Sequence, residues 1–129
     1  MARLKIGLAW LLQTLCGVLF VVIGAAKFGD PAWARNFERW GYPAGFYMVI
    51  GAIELVAGLA LLVPRLAFHA ALTLMTIMVA AALTHLRFGE TARLSGPLLY
   101  LSVLAVIAWL RRPAAAARRG AIAPSAPPA

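Results

Sequence analysis

The chain has 129 residues, of which 64% are hydrophobic and 12% charged, with a mean hydropathy of +0.88. An ordinary soluble domain is roughly a quarter charged, so a water-soluble core is excluded and one small polytopic membrane domain is implied, with little chain to spare for an extramembrane catalytic unit. The net charge of +8 would point to nucleic acid in a soluble protein. Here Arg3, Lys5, Arg65, Arg111, Arg112, Arg118 and Arg119 flank apolar runs, which makes them topology determinants and contacts to anionic lipid and leaves no nucleic-acid partner.

Four apolar runs predict an all-α fold, an integral membrane four-helix bundle, with spans at about 6–26, 44–63, 66–86 and a shorter one at 94–110. The first run follows Arg3 and Lys5 as a signal peptide would, but it exceeds the usual apolar region of about 7–15 residues and reads as an uncleaved span. Its lone Cys16 has no C-x-x-C partner, which excludes dithiol chemistry within one chain.

Between the first two spans, Asp30-Pro31 is a helix start and Gly41 a stop. Trp33, Phe37 and Trp40 recur there at i, i+4 and i+7, predicting a short amphipathic helix in the interface that either seals the bundle or acts as a substrate lid. Pro64-Arg65 is too short a connection for anything but an antiparallel hairpin. Four spans put both termini on one side, and the excess of Lys and Arg there puts them in the cytoplasm. The membrane domain is therefore expected over 1–110 and a disordered, basic, Pro/Ala-rich cytoplasmic tail over 111–129.

Glu54 lies near the middle of the second run, where a charge costs at least about 2.5 kcal/mol, so it must be buried, partnered, neutralised or used. Counting about 1.5 Å per residue from the cytoplasmic ends, Gln13, Glu54, Thr76, Tyr100 and Ser102 fall into one mid-membrane polar layer. Gln13 shares a helix stripe with Gly17 and Gly24, and Glu54 shares one with Tyr47, Gly51, Gly58 and Arg65. Small residues mark close helix contacts in membranes, so Glu54 is expected to meet Gln13 or a residue within one turn of it.

Lys27 is a second candidate partner for Glu54, but it stands near the outer end of its span, roughly 15 Å above that carboxylate. Contact requires a dipping loop or offset helices; otherwise Lys27 snorkels outward. His69 and His85 are roughly 24 Å apart along the third span and cannot ligate one metal or haem, and no metal site is expected. His85, at the outer end, is the better proton-exchange candidate, although on a straight helix it points away from Thr76. A pocket floored by Glu54, flanked by Lys27, Tyr47 and His85 and roofed by Trp33, Phe37 and Trp40 would suit a quinone head group or a similar planar ligand.

The succession Gly24-Ala25-Ala26-Lys27-Phe28, Gly41-Tyr42-Pro43, Gly51-Ala52-Ile53-Glu54-Leu55-Val56-Ala57-Gly58, Pro64-Arg65-Leu66-Ala67 and Ala80-Ala81-Ala82-Leu83-Thr84-His85 resembles the DoxX family of small four-helix membrane proteins, over roughly Gly17 to His85. The resemblance implies a bacterial inner-membrane protein and marks Lys27, Glu54, Arg65 and His85 as its polar positions. It also implies a membrane subunit of a quinone- or thiol-linked redox assembly, since the family includes a subunit of a thiosulfate:quinone oxidoreductase. On that reading the chain binds no cofactor alone, takes quinone as ligand, is at most an accessory oxidoreductase subunit, and has the bilayer, redox proteins or a second copy of itself as partners. The rival readings are a small proton-coupled transporter and a non-catalytic scaffold.

Overall fold

The computed structural model describes residues 2–113. Its elements are α1 (Ala2–Gly29), α2 (Pro31–Arg39), α3 (Phe46–Leu61), α4 (Pro64–Arg87), a 3-10 turn at Thr91–Arg93, and α5 (Ser95–Leu110). This is the expected membrane four-helix bundle, with α2 as the short amphipathic helix between its first two long elements. The tail expected from 111 lies, beyond residue 113, outside the described residues.

Local chemistry sets the helix ends. The Asp30 Oδ1 accepts the Ala32 N–H at 2.9 Å and Pro31 opens α2, an N-cap followed by proline at the first helical position. Gly45, at φ 80°, is the left-handed residue from which α3 starts. The preference of a pre-proline residue for extended backbone places Val63 at ψ 115° and begins α4 at Pro64.

Those two breaks trim the second apolar run to a helix of 16 residues, about 24 Å against a bilayer core of about 30 Å. By contrast α1, α4 and the segment Thr91–Leu110 are long and apolar enough to cross a membrane. α1, with 28 residues, exceeds its expected limits at both ends.

Helix α1 packs on α3 through facing glycines. A Cβ on Gly24 would lie 2.6 Å from both the Gly51 carbonyl oxygen and the Leu55 nitrogen, and one on Gly58 would lie 2.8 Å from the Val21 nitrogen. Backbones this close gain dispersion contacts, which drive helix association where the surroundings are already apolar. Helices α4 and α5 form the second close pair, and Phe20, Leu61, Leu74, Leu104 and Ile107 fill the seam between the pairs. Outside, Leu11, Leu15, Val22, Val56, Leu83 and Leu99 are all more than half exposed, an apolar surface suited to lipid. Both ends of the described chain lie at one end of the bundle, since Arg111 bonds Gln13 and Lys5 stands over Trp109. That end is called terminal below, and the opposite one distal.

Candidate functional site

The glycine contacts fix the register of α1 against α3, and with it the level of every polar side chain. Gly24 faces Gly51 and Leu55, while Gly17 faces Gly58 and Leu62. Glu54 is therefore level with the last turns of α1, not with its middle. A Cβ on Gly51 would lie 2.9 Å from the Cβ of Lys27, so the lysine stem runs along α3 where a larger residue would block it. Its Nζ donates to Glu54 Oε2 at 3.0 Å, with Lys27 4% and Glu54 2% exposed. The helices are offset and Lys27 reaches inward. The Trp33 ring of α2 covers the ammonium, its centroid 4.0 Å from Nζ, a cation–π contact that strengthens as water is removed.

Lys27 and Glu54 sit at the edge of a cavity of about 550 Å³ in the distal half, between the α1/α3 and α4/α5 pairs and beneath α2. Its walls are mostly apolar and aromatic, contributed by Phe20, Ile23, Phe46, Ile50, Ile77, Pro97 and Tyr100 among others. Phe20 and Tyr100 meet edge to face with centroids 5.2 Å apart, joining the two helix pairs. Trp33, Phe37 and Trp40 form the α2 side, and Phe37 packs on Trp40, Tyr42, Phe46 and Tyr47. Tyr42 Oη and Thr84 Oγ1 share a hydrogen bond of 2.6 Å across the rim.

Glu90 clasps this roof to the bundle. Its Oε1 accepts the Trp40 indole N–H at 2.8 Å and faces His85 Nδ1 at 3.4 Å, while Oε2 takes Arg39 of α2 at 2.8 Å and Arg93 at 3.2 Å. Partial removal from water would raise the Glu90 pKa, but the hydrogen bonds from Trp40 and His85 and the charges of Arg39 and Arg93 outweigh it and hold the carboxyl below its ordinary value.

Of the residues singled out in the sequence, Lys27, Glu54, His85, Trp33, Phe37 and Trp40 all border the cavity. Tyr47 packs behind Phe37, with centroids 6.4 Å apart. Gln13 and Arg65 do not join them. Gln13 lies at the terminal end, where its Oε1 accepts from Arg111 Nε at 2.7 Å, and Arg65 is exposed in the first turn of α4. The expected Gln13–Glu54 contact fails because equal depth was counted from span ends, whereas the glycine register slides α1 past α3.

The mid-membrane layer dissolves for a second reason. Thr76 and Ser102 are exposed and bond the carbonyls of Leu72 and Leu98 on their own helices, a local satisfaction open to any hydroxyl on a helix. Thr76 and His85 both border the cavity despite pointing opposite ways, because it extends along about 14 Å of α4. Glu90, Tyr42, Thr84 and Arg111 were missed. Tyr42, within Gly41-Tyr42-Pro43, and Thr84, within Ala80-Ala81-Ala82-Leu83-Thr84-His85, stand in stretches that carry the family resemblance, whereas Glu90 and Arg111 carry no site signal.

Fold and site together define an integral membrane helical bundle with a ligand-sized, half-open cavity beside a buried Lys–Glu pair. The model of the DoxX-like family matches residues 11–109, and the chain belongs to that family. No curated protein and no solved structure matches it. Among the described residues, no group of three or more His, Cys, Asp or Glu is placed to hold a metal ion.

Proposed function

We propose that the distal cavity binds the head group of a quinone, and that the protein serves as a membrane subunit of a redox assembly in the bacterial inner membrane, with four spans and both termini in the cytoplasm. The observation that carries this reading is an aromatic cavity of about 550 Å³ with a neutralised ion pair at its edge. Ligand sites commonly measure about 300–1,000 Å³, mostly apolar with a few polar groups to fix orientation.

A Lys–Glu pair offers a donor and an acceptor without net charge, which suits a neutral ligand carrying carbonyl or hydroxyl oxygens. Lys27 donates to a ring carbonyl, Glu54 holds or accepts a proton from a ring hydroxyl, and the Trp33, Phe37 and Trp40 rings pack on the ring face. A quinone bound there supplies two-electron, two-proton carrier chemistry, with the electrons exchanged through a partner protein. His85 lies between the cavity and the rim carboxylate Glu90, which suits it to pass protons between them. The same ion pair counts against a cation transporter, because Lys27 already occupies the carboxylate that a cationic substrate would need.

Purification in mild detergent, followed by solvent extraction and identification of co-purifying proteins, tests the proposal. Bound quinone that disappears in Lys27→Ala and Glu54→Gln, with a flavin, iron–sulfur or thiol-transfer partner, is the expected result. A quinone-free protein that purifies alone overturns it.

A further inference from the structure

The terminal end poses a charge problem that the described residues do not solve among themselves. Arg111 closes α5 with its guanidinium against α1, where Nε donates to the fully buried Gln13 at 2.7 Å and the charged group stands over the Trp10 ring at 5.3 Å. Gln13 Nε2 and Arg111 Nη2 are both enclosed and have no acceptor among the described residues. Both donors belong to groups already joined by one hydrogen bond, and each costs free energy until an oxygen accepts from it.

No carboxylate side chain is at hand to do so. The sequence has four acidic residues, and none is at this end: Glu54 pairs with Lys27, Glu90 with Arg39 and Arg93, Asp30 caps α2, and Glu38 lies on α2. What surrounds the seam is more positive charge, with Arg112 and Lys5 over the Trp109 ring at 4.5 and 5.4 Å. A half-buried guanidinium whose enclosed Nη2 has no acceptor, and whose partner among the described residues is a neutral amide, is costly. Arginine, lysine and tryptophan gathered at the end of a membrane bundle lie at head-group level.

We propose that the seam between Gln13 and Arg111 is a binding site for a phosphate oxyanion, in which one oxygen accepts from Gln13 Nε2 and Arg111 Nη2 together while Lys5 and Arg112 supply the surrounding positive field. The planar guanidinium fork suits phosphate. Two sources share this chemistry, the phosphodiester of an acidic phospholipid and free phosphate. The site is independent of the distal cavity and of its ligand.

The test uses the full chain in nanodiscs of phosphatidylcholine with or without phosphatidylglycerol, reading lipid retained after detergent extraction by native mass spectrometry and melting temperature with and without inorganic phosphate. A charge-assisted hydrogen bond is worth about 1.5–3 kcal/mol, so Arg111→Gln and Gln13→Leu should each lower the affinity for the anion by about tenfold or more. Retained phosphatidylglycerol that free phosphate does not displace identifies a lipid site. A melting temperature raised by phosphate in phosphatidylcholine alone, in the wild type but not in Arg111→Gln, identifies a free-anion site.

Arg65→Gln, at the same end but away from the seam, should change neither readout. Gln13→Glu supplies the absent carboxylate, and should fold at least as stably as the wild type while losing anion retention. Equal retention by wild type and Arg111→Gln without a phosphate effect, an equal loss in Arg65→Gln, or wild-type retention in Gln13→Glu overturns the proposal.

Discussion

The two ends of this bundle treat buried charge in opposite ways. At the distal end the buried Lys27 is matched one to one by Glu54, and the half-exposed Arg39 and Arg93 share Glu90, so each of these cations has a carboxylate partner within the chain. At the terminal end Lys5, Arg111 and Arg112 rest on tryptophan rings, and among the described residues the hydrogen-bond partner of the Arg111 side chain is the Gln13 amide. A compartment that is already neutral favours a neutral ligand, whereas an unmatched guanidinium favours an anion from outside. The sequence has four acidic residues against twelve basic ones, and the two that form ion pairs, Glu54 and Glu90, are both at the distal end.

The comparison breaks most severely if the internal pair is split. Removing one partner of a buried ion pair typically costs about 3–5 kcal/mol, so Glu54→Leu should show the largest loss of stability in detergent unfolding. Lys27→Met/Glu54→Leu should recover most of that loss, because apolar residues of similar volume replace a buried pair at little cost, and should still fail to bind a polar head group. A double variant as unstable as the single one would mean the pair is more than mutual neutralisation.

Next in size is the glycine seam that sets the register. Gly24→Val, with its Cβ 2.6 Å from two backbone atoms of α3, should cost about 1–3 kcal/mol by overpacking and should shift Lys27 off Glu54. Gly7→Ala, with nothing within 4 Å, should stay within about 0.5 kcal/mol of the wild type or gain from helix propensity.

Smaller still is the Glu90 clasp. Its pKa is lowered on folding, so its contribution is fully present above the ordinary carboxylate value of about 4.3 and is lost as pH falls through the lower folded value. Hydrogen exchange should show α2 losing protection in Glu90→Gln at neutral pH, and in the wild type only on acidification below about pH 4. Protection of α2 that ignores both changes would show that its aromatic contacts alone hold the roof.

Much of this was legible in the sequence. Apolar run length gave the helices, Asp30-Pro31 and Gly41 gave the bounds of α2, and the spacing of Trp33, Phe37 and Trp40 gave its inward face. Depth was not legible. Counting from span ends assumes that helices start level, but Gly24 and Gly58 let α1 slide along α3 until Lys27, not Gln13, meets Glu54. Nor was Glu90 legible, because its partners Arg39, Trp40 and His85 come from α2 and α4 and meet it only once α2 has folded back over the bundle. Arg111 looked like one more flanking cation, and its burial against Gln13 is a property of helix packing that no local pattern records.

The most direct measurement uses the four tryptophans, two at each end. Trp33 and Trp40 border the distal cavity, whereas Trp10 and Trp109 lie with the terminal cations. In Trp10→Phe/Trp109→Phe, which leaves the cavity intact, a short-chain quinone should quench the remaining fluorescence saturably, with affinity falling about tenfold or more in Lys27→Ala and Glu54→Gln as a charge-assisted contact is lost. In Trp33→Phe/Trp40→Phe the terminal tryptophans should show only the linear, non-saturating quenching of quinone dissolved in lipid. Linear quenching in both chains, or saturation indifferent to Lys27 and Glu54, would contradict the assignment of a quinone site to the distal cavity.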